Sequence, residues 1–277
     1  MKILVEPISI KHLYSLDKKD IGGFIVGINK YSIFQNLKLS IGEIKKIKTN
    51  KELYVSINKP IHNSELDEIK SILIELSKIN ITGVLFEDIS IYKLNKDLDL
   101  KLNLIWSSNH LPTNSYSCNY WNRKGCSGAL LSTELMVTDF IDIKKDTNMN
   151  IFVYLYGYIP IFESSRTLIT NYLKHINKKS NSNKYYMHEK ISNKYYPIYE
   201  EYNNTFITED TLNGINVVDT LKENNIDYII LNSLMHEEDD FNKVVDEYID
   251  VLNGKKIDKK DVFTGFLFKE SIFKVKK

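Results

Sequence analysis

Residues 53–87 read LYVSINKPIHNSELDEIKSILIELSKINITGVLFE. The runs LYVSIN at 53–58 and GVLFE at 83–87 are short and apolar, the pattern of buried strands. Between them, over 64–80, Leu66, Ile69, Ile72, Leu73, Leu76 and Ile79 recur at spacings of three and four, which aligns them on one face of a helix. Asn63 is placed to cap that helix, its side-chain oxygen accepting from an amide of the first turn. Strand, helix and strand in this order predict a right-handed crossover between parallel strands.

The same alternation extends in both directions. Apolar runs at 2–6, 23–27, 102–106, 129–132, 151–156 and 227–231 supply further strands, and 133–144, 214–225 and 237–252 supply helical segments. Strands of this number in an α/β chain of 277 residues predict a (β/α)8 TIM-like barrel. Residues 174–213 break the rhythm. They are rich in Lys, Asn, Ser and Tyr, with strand-like pieces at 184–190 and 195–199 and a turn at Asn203 and Asn204, and predict a β-hairpin insertion on the rim before the last strand. The expected organisation is one barrel domain over 1–252, followed by a C-terminal extension at 253–277 that packs on the barrel. Within it, 253–261 reads as a linker and 263–275 as a closing extended segment.

Charge narrows the function classes. With 37 basic and 36 acidic residues, bulk electrostatics favours neither nucleic acid nor a membrane surface, so any anion site is local. No apolar run reaches the roughly 18 residues of a membrane span, and the N-terminus lacks a secretory signal pattern, so a cytoplasmic location without membrane association is expected. Two cysteines, Cys118 and Cys126, are too few for a disulfide framework or a four-cysteine metal site and read as buried small hydrophobes. All basic residues are lysine except Arg123 and Arg166. In a chain so biased, a retained guanidinium suggests a carboxylate or phosphate gripped through two parallel hydrogen bonds, although an ordinary structural ion pair is the plainer reading.

If the barrel forms, its working face lies at the C-terminal ends of the strands. That rule selects Glu6, Asn29, Tyr31, Asn58, His62, Glu87, Asp88, Trp106, Asn109, Glu134, Tyr156, Arg166, Asn232 and His236, with helix caps and satisfied loop polars the expected fate of most. There is no nucleophile elbow, zinc helix, P-loop or dinucleotide fingerprint, and no metal is expected. Tyr116, Tyr120 and Trp121 at helical spacing beside Arg123 offer a stacking surface for a planar ligand, though such a stripe is more often core.

The sequences around both arginines resemble a known family. NSYSCNYWNRKG at 114–125, YGYIPIFESSR at 156–166 with Asn171 and Tyr172 after it, YPIYEE at 196–201 with NTFIT at 204–208, IDY at 226–228 and TGFLFKE at 264–270 are similar, in order, to segments of the collagenase-like peptidases of unknown catalytic type, family thirty-two. The resemblance implies a barrel-like protein. Its better-understood relatives are implicated in making 5-hydroxyuridine at the tRNA wobble position, apparently with prephenate, and another branch binds an iron–sulfur cluster through four cysteines. Tyr156 stands where the family has His, Pro160 and Thr167 stand at its cysteine positions, and ILNSLMH at 230–236 replaces its K-[IL]-[ED]-G-[RV]-[ML]-K motif. These departures remove cluster, thiol and histidine chemistry, so no iron–sulfur cluster or other resident cofactor is expected and no catalytic residue is assigned.

What remains is a binding constellation: Arg123 and Arg166 facing one cavity, flanked by Asn109, Asn114, Tyr120, Trp121, Glu134, Tyr156 and Asn171, and suited to a small carboxylate or a nucleotide phosphate. The expected function is a component of tRNA wobble-uridine hydroxylation, with prephenate as co-substrate and a longer paralogue of the same family as partner. The alternatives are a collagenase-like protease and a non-catalytic binding scaffold. Lysine clusters at 45–51, 174–184 and 255–260, with the tyrosines of the insertion, could serve tRNA, or be no more than a solvated surface.

Overall fold

Each apolar run forms a strand whose side chains alternate between two environments. Leu4, Ile25, Tyr54, Leu85, Ile105, Leu130, Phe152 and Ile230, one from each barrel strand, pack together in the lumen. Their neighbours in sequence, among them Ile3, Val5, Phe24, Val26, Val84, Phe86, Ile229 and Leu231, face outward into a second apolar layer shared with the helices. Both sides are apolar, so the strands read as continuous hydrophobic runs rather than alternating ones.

In this computed structural model, which describes residues 1–180, 185–201 and 203–269, the eight parallel barrel strands are Lys2–Glu6, Gly23–Ile28, Glu52–Ile57, Gly83–Phe86, Leu104–Trp106, Gly128–Leu130, Asn150–Gly157 and Tyr228–Asn232. Each pairs with the next, and the first pairs with both the second, through Leu4 and Gly23, and the eighth, through Leu4 and Ile230, so the sheet closes on itself. The chain is therefore an α/β protein with a (β/α)8 TIM barrel. No helix among the described residues is long and apolar enough to cross a membrane.

The helix between the third and fourth strands spans Leu66–Leu76 and buries Ile69, Leu73 and Leu76. Asn63 does not cap it. A 3-10 turn, Asn63–Glu65, precedes the helix, and the Glu65 carboxylate accepts from the His62 amide at 3.0 Å. That bond steadies the 3-10 turn, and the helix itself starts without a side-chain cap.

The rim insertion is larger than a hairpin. Pro160–Ser164, Tyr185–Glu189, Lys194–Glu201 and Asn204–Thr208 form a four-stranded antiparallel sheet in which Pro160–Ser164 pairs with Asn204–Thr208. The helix Leu168–His175 belongs to it: Glu200 accepts from the Ile169 amide at 2.8 Å, and the Thr205 hydroxyl accepts from the Leu168 amide at 3.0 Å. Neither element stands out in the sequence, because the strand is mostly exposed and the helix buries no side chain fully. Asn203 turns the chain with φ of 64°. Lys184, expected to open one strand, lies outside the described residues.

Within the C-terminal segment, Phe263 bridges Leu212, and its carbonyl accepts from the Asn213 amide at 2.8 Å. The chain then turns rather than staying extended, burying Leu267, whose carbonyl accepts from the Val137 amide at 3.1 Å. The remainder of the expected closing segment, with Glu270 of the TGFLFKE match, lies outside the described residues.

Candidate functional site

Two residues beyond the apolar lumen layer, strand alternation places Glu6, Glu87, Ser107, Tyr154 and Asn232 toward the same axis, and the interior turns polar. This layer floors a cavity of about 550 Å³ at the C-terminal ends of the strands, within the range of small-molecule sites. Glu87, Ser107, Tyr154 and Asn232 line it, and Asn58, Asn109, His110 and Tyr156 stand around them. Phe34 and Phe206, with ring centroids 5.2 Å apart, form an aromatic wall, and the insertion closes the mouth with Phe162 and Glu163.

Beneath the floor, Glu6 is 2% exposed. It accepts from the Tyr154 hydroxyl at 2.7 Å and from the Asn232 amide at 2.5 Å. Burial outweighs these neutral donors and pushes its carboxyl up to about 7. Glu87 rises to about 7 by burial first and by the nearby Glu163 and Asp88 carboxylates second. Glu163 is solvent-accessible in the crowded mouth; lost hydration raises it, and His110 pulls it the other way. His110 Nδ1 lies 3.2 Å from Glu134 Oε1 on the rim. The cavity thus offers amides, hydroxyls and carboxyls that exchange protons near neutrality, against aromatic faces. Among the described lining residues His110 is the sole cation-forming side chain.

The arginine pair does not meet here. Arg123 is the last residue of the helix Ser115–Arg123, exposed, at the end of that helix where the chain re-enters the barrel and the Ser127 amide bonds the Leu104 carbonyl at the start of the fifth strand. That is the face opposite the cavity. Arg166 is exposed in the insertion and does not line the cavity; its carbonyl accepts from Thr205. Asn171 is exposed on the insertion helix, and Asn114 caps the helix Ser115–Arg123 by accepting from the Ser117 amide at 2.9 Å. Trp121 packs against Phe86, Tyr92 and Trp106 beside the half-exposed Tyr120. Of the nine residues selected for binding, Asn109 and Tyr156 line the cavity and Glu134 touches its rim through His110. Asn58, Glu87 and Asn232, picked out by strand position alone, also line it. Missed were Tyr154, legible as two residues beyond lumen-facing Phe152, and Phe34 and His110 on loops with Glu163 and Phe206 on strands of the insertion, which come in without local signal.

Cys118 and Cys126 are buried, with thiols pushed up to about 11 and about 12 by desolvation. Among the described residues neither cysteine, nor any of the cavity serines, hydrogen-bonds a histidine ring. Among the described residues no group of His, Cys, Asp and Glu has the arrangement of a metal site.

Comparison with known proteins finds a family and several relatives. Residues 25–271 match the model of peptidase family U32. The chain is 26% identical to tRNA hydroxylation protein P2 of Bacillus subtilis over 98% of this chain and 99% of that one. It is 21% identical to tRNA hydroxylation protein P1 of the same organism over 61% of this chain and 40% of that longer one. Among solved structures it is similar to a glycerophosphodiester phosphodiesterase from Parabacteroides distasonis, 7% identical with a TM-score of 0.46 over 88% of this chain and 96% of that one. It is also similar to a glycoside hydrolase family 18 N-acetylglucosaminidase from Paenibacillus barengoltzii, 10% identical with a TM-score of 0.44 over 90% and 99%.

Proposed function

The chain belongs to peptidase family U32, and from that premise we propose that it acts in tRNA hydroxylation, as a cytoplasmic component in the formation of 5-hydroxyuridine at the wobble position. The observation that carries this reading is the match to tRNA hydroxylation protein P2, which runs the length of both chains. The cavity supports it. A uracil ring is planar and neutral, and needs aromatic contact on its faces with donors and acceptors at its edge. Phe34, Phe206 and Tyr156 offer the former; Asn109 and the Glu87 carboxyl offer the latter. Glu87, balanced near neutrality, is the candidate proton-exchanging group.

Prephenate as co-substrate would be held at the mouth beside His110, since the floor presents carboxyls rather than guanidinium groups. A longer family member is the proposed partner, as P1 and P2 occur together in one organism. No cavity feature favours peptide hydrolysis, because a nucleophile with an activating base is missing among the described lining residues. Nucleoside mass spectrometry of tRNA from a strain lacking this gene tests the reading. Loss of 5-hydroxyuridine-derived nucleosides, restored by the plasmid-borne chain, is expected; an unchanged profile in a strain whose other family members are also removed refutes it.

A further inference from the structure

The insertion carries a second depression of about 720 Å³ on its helix side, bordered by Lys174, Lys178, Lys179, Tyr185 and Tyr199. Three lysine clusters occur in the sequence, and the structure treats them differently. In the first, Lys45 pairs with Glu75; in the third, Lys255 pairs with Asp250 and Lys259 with Glu247. Lys174, Lys178 and Lys179 are exposed and have no carboxylate within ion-pairing distance among the described residues. Apart from Glu163 in the cavity mouth, the acids of the insertion are otherwise engaged. Glu200, on the wall of the depression, accepts from the Ile169 and Thr170 amides; Glu201 pairs with Lys38, Glu209 with Lys194, and Glu189 accepts from the Ile191 and Ser192 amides. Tyr172, 62% exposed, lies on the same helix but does not border the depression, whose aromatic residues are the half-buried Tyr185 and Tyr199.

Uncompensated lysines beside half-buried tyrosines match a polyanion that also presents flat rings. A protein partner fits less well, since lysine is depleted in the cores of protein interfaces. The depression also adjoins the barrel cavity: Tyr199 pairs directly with Phe206, which lines the cavity, across neighbouring strands about 4.8 Å apart. Resting on the reading of this chain as a tRNA hydroxylation component, we propose that the lysine and tyrosine groove of the insertion binds the phosphodiester backbone of the RNA whose base enters the cavity.

The test compares the full chain with Lys174→Gln/Lys178→Gln/Lys179→Gln, and separately with Tyr185→Ala, for binding of a labelled anticodon stem-loop RNA with uridine at its wobble position. The triple variant is expected to lose at least about tenfold in affinity at moderate salt, and its log–log salt dependence to flatten by about two to three units, one per lost phosphate contact. Tyr185→Ala is expected to weaken binding with an unchanged salt slope. Circular dichroism melting verifies that both variants fold. Wild-type affinity and slope in the triple variant overturn the proposal, as does wild-type protein that fails to bind the RNA. Loss of a copurifying family partner with RNA binding intact overturns it in favour of a protein interface. Complementation separates this inference from the functional one: a triple variant that restores tRNA hydroxylation fully, in a strain where the wild-type gene is needed, sinks the groove and leaves the function standing.

Discussion

Carrying Glu6 out of water and surrounding it with neutral donors raises its carboxyl to about 7, against an ordinary 4.5. The native state therefore holds this proton more tightly than the unfolded chain. Its contribution to stability is fully present below about 4.5 and is lost as pH rises through about 7. Urea melts at pH 5 and pH 8 should show the wild type losing stability, Glu6 contributing on the order of 3 kcal/mol at most and Glu87, raised to a similar value, adding its own share. Glu6→Gln should remove the Glu6 part of that loss and leave the Glu87 part, since an amide can donate to Tyr154 while its oxygen still accepts from Asn232; parallel pH curves for both proteins contradict the assignment. At Glu87 the expectation concerns function. Glu87→Gln keeps the shape but not the exchangeable proton, and should reduce 5-hydroxyuridine-derived nucleosides in a complemented strain by about tenfold or more with little change in melting temperature. The sequence identified Glu6 and Glu87 because strand position is a geometric signal. It misdirected at Arg123 and Arg166, because rarity in a lysine-biased chain reports composition and holds no information about which end of a helix a side chain occupies.

At the scale of elements, the barrel strands were legible because each is buried on both faces and reads as an unbroken apolar run. The strand Pro160–Ser164 was not, since most of it is exposed and its pairing partner lies about forty residues away. The chain leaves the barrel for that strand at Gly157, whose φ of 127° is closed to most side chains, and where a Cβ would come within 2.9 Å of Asn232. Gly157→Ala should therefore cost about 1–3 kcal/mol in chemical denaturation. It should also displace the Asn232 amide from Glu6, so that the two losses are coupled. A variant as stable as the wild type would show that the turn relaxes without strain.

For the molecule as a whole, the described part of the C-terminal segment acts as a brace across the barrel side. Leu267 is 4% exposed and its side chain approaches Gly214, while Phe263 bridges Leu212, itself part of the cavity lining. Leu267→Ala should destabilise by about 2–4 kcal/mol, measured by urea unfolding, and a loss below 1 kcal/mol would mean the brace is superficial. The overall architecture was readable from periodicity, whereas the cavity's upper wall was not, because it is assembled from segments whose meeting depends on closure of the entire barrel. The two roots of the insertion are themselves ladder partners, Gly157 with Leu212 and Tyr156 with Asn213. Chain entering and leaving at adjacent rungs forms a cassette: it can be excised and bridged by a tight link with little entropic penalty. Relatives could therefore exchange this module while the drum beneath it stays the same, changing which molecule is presented without altering where the reaction happens.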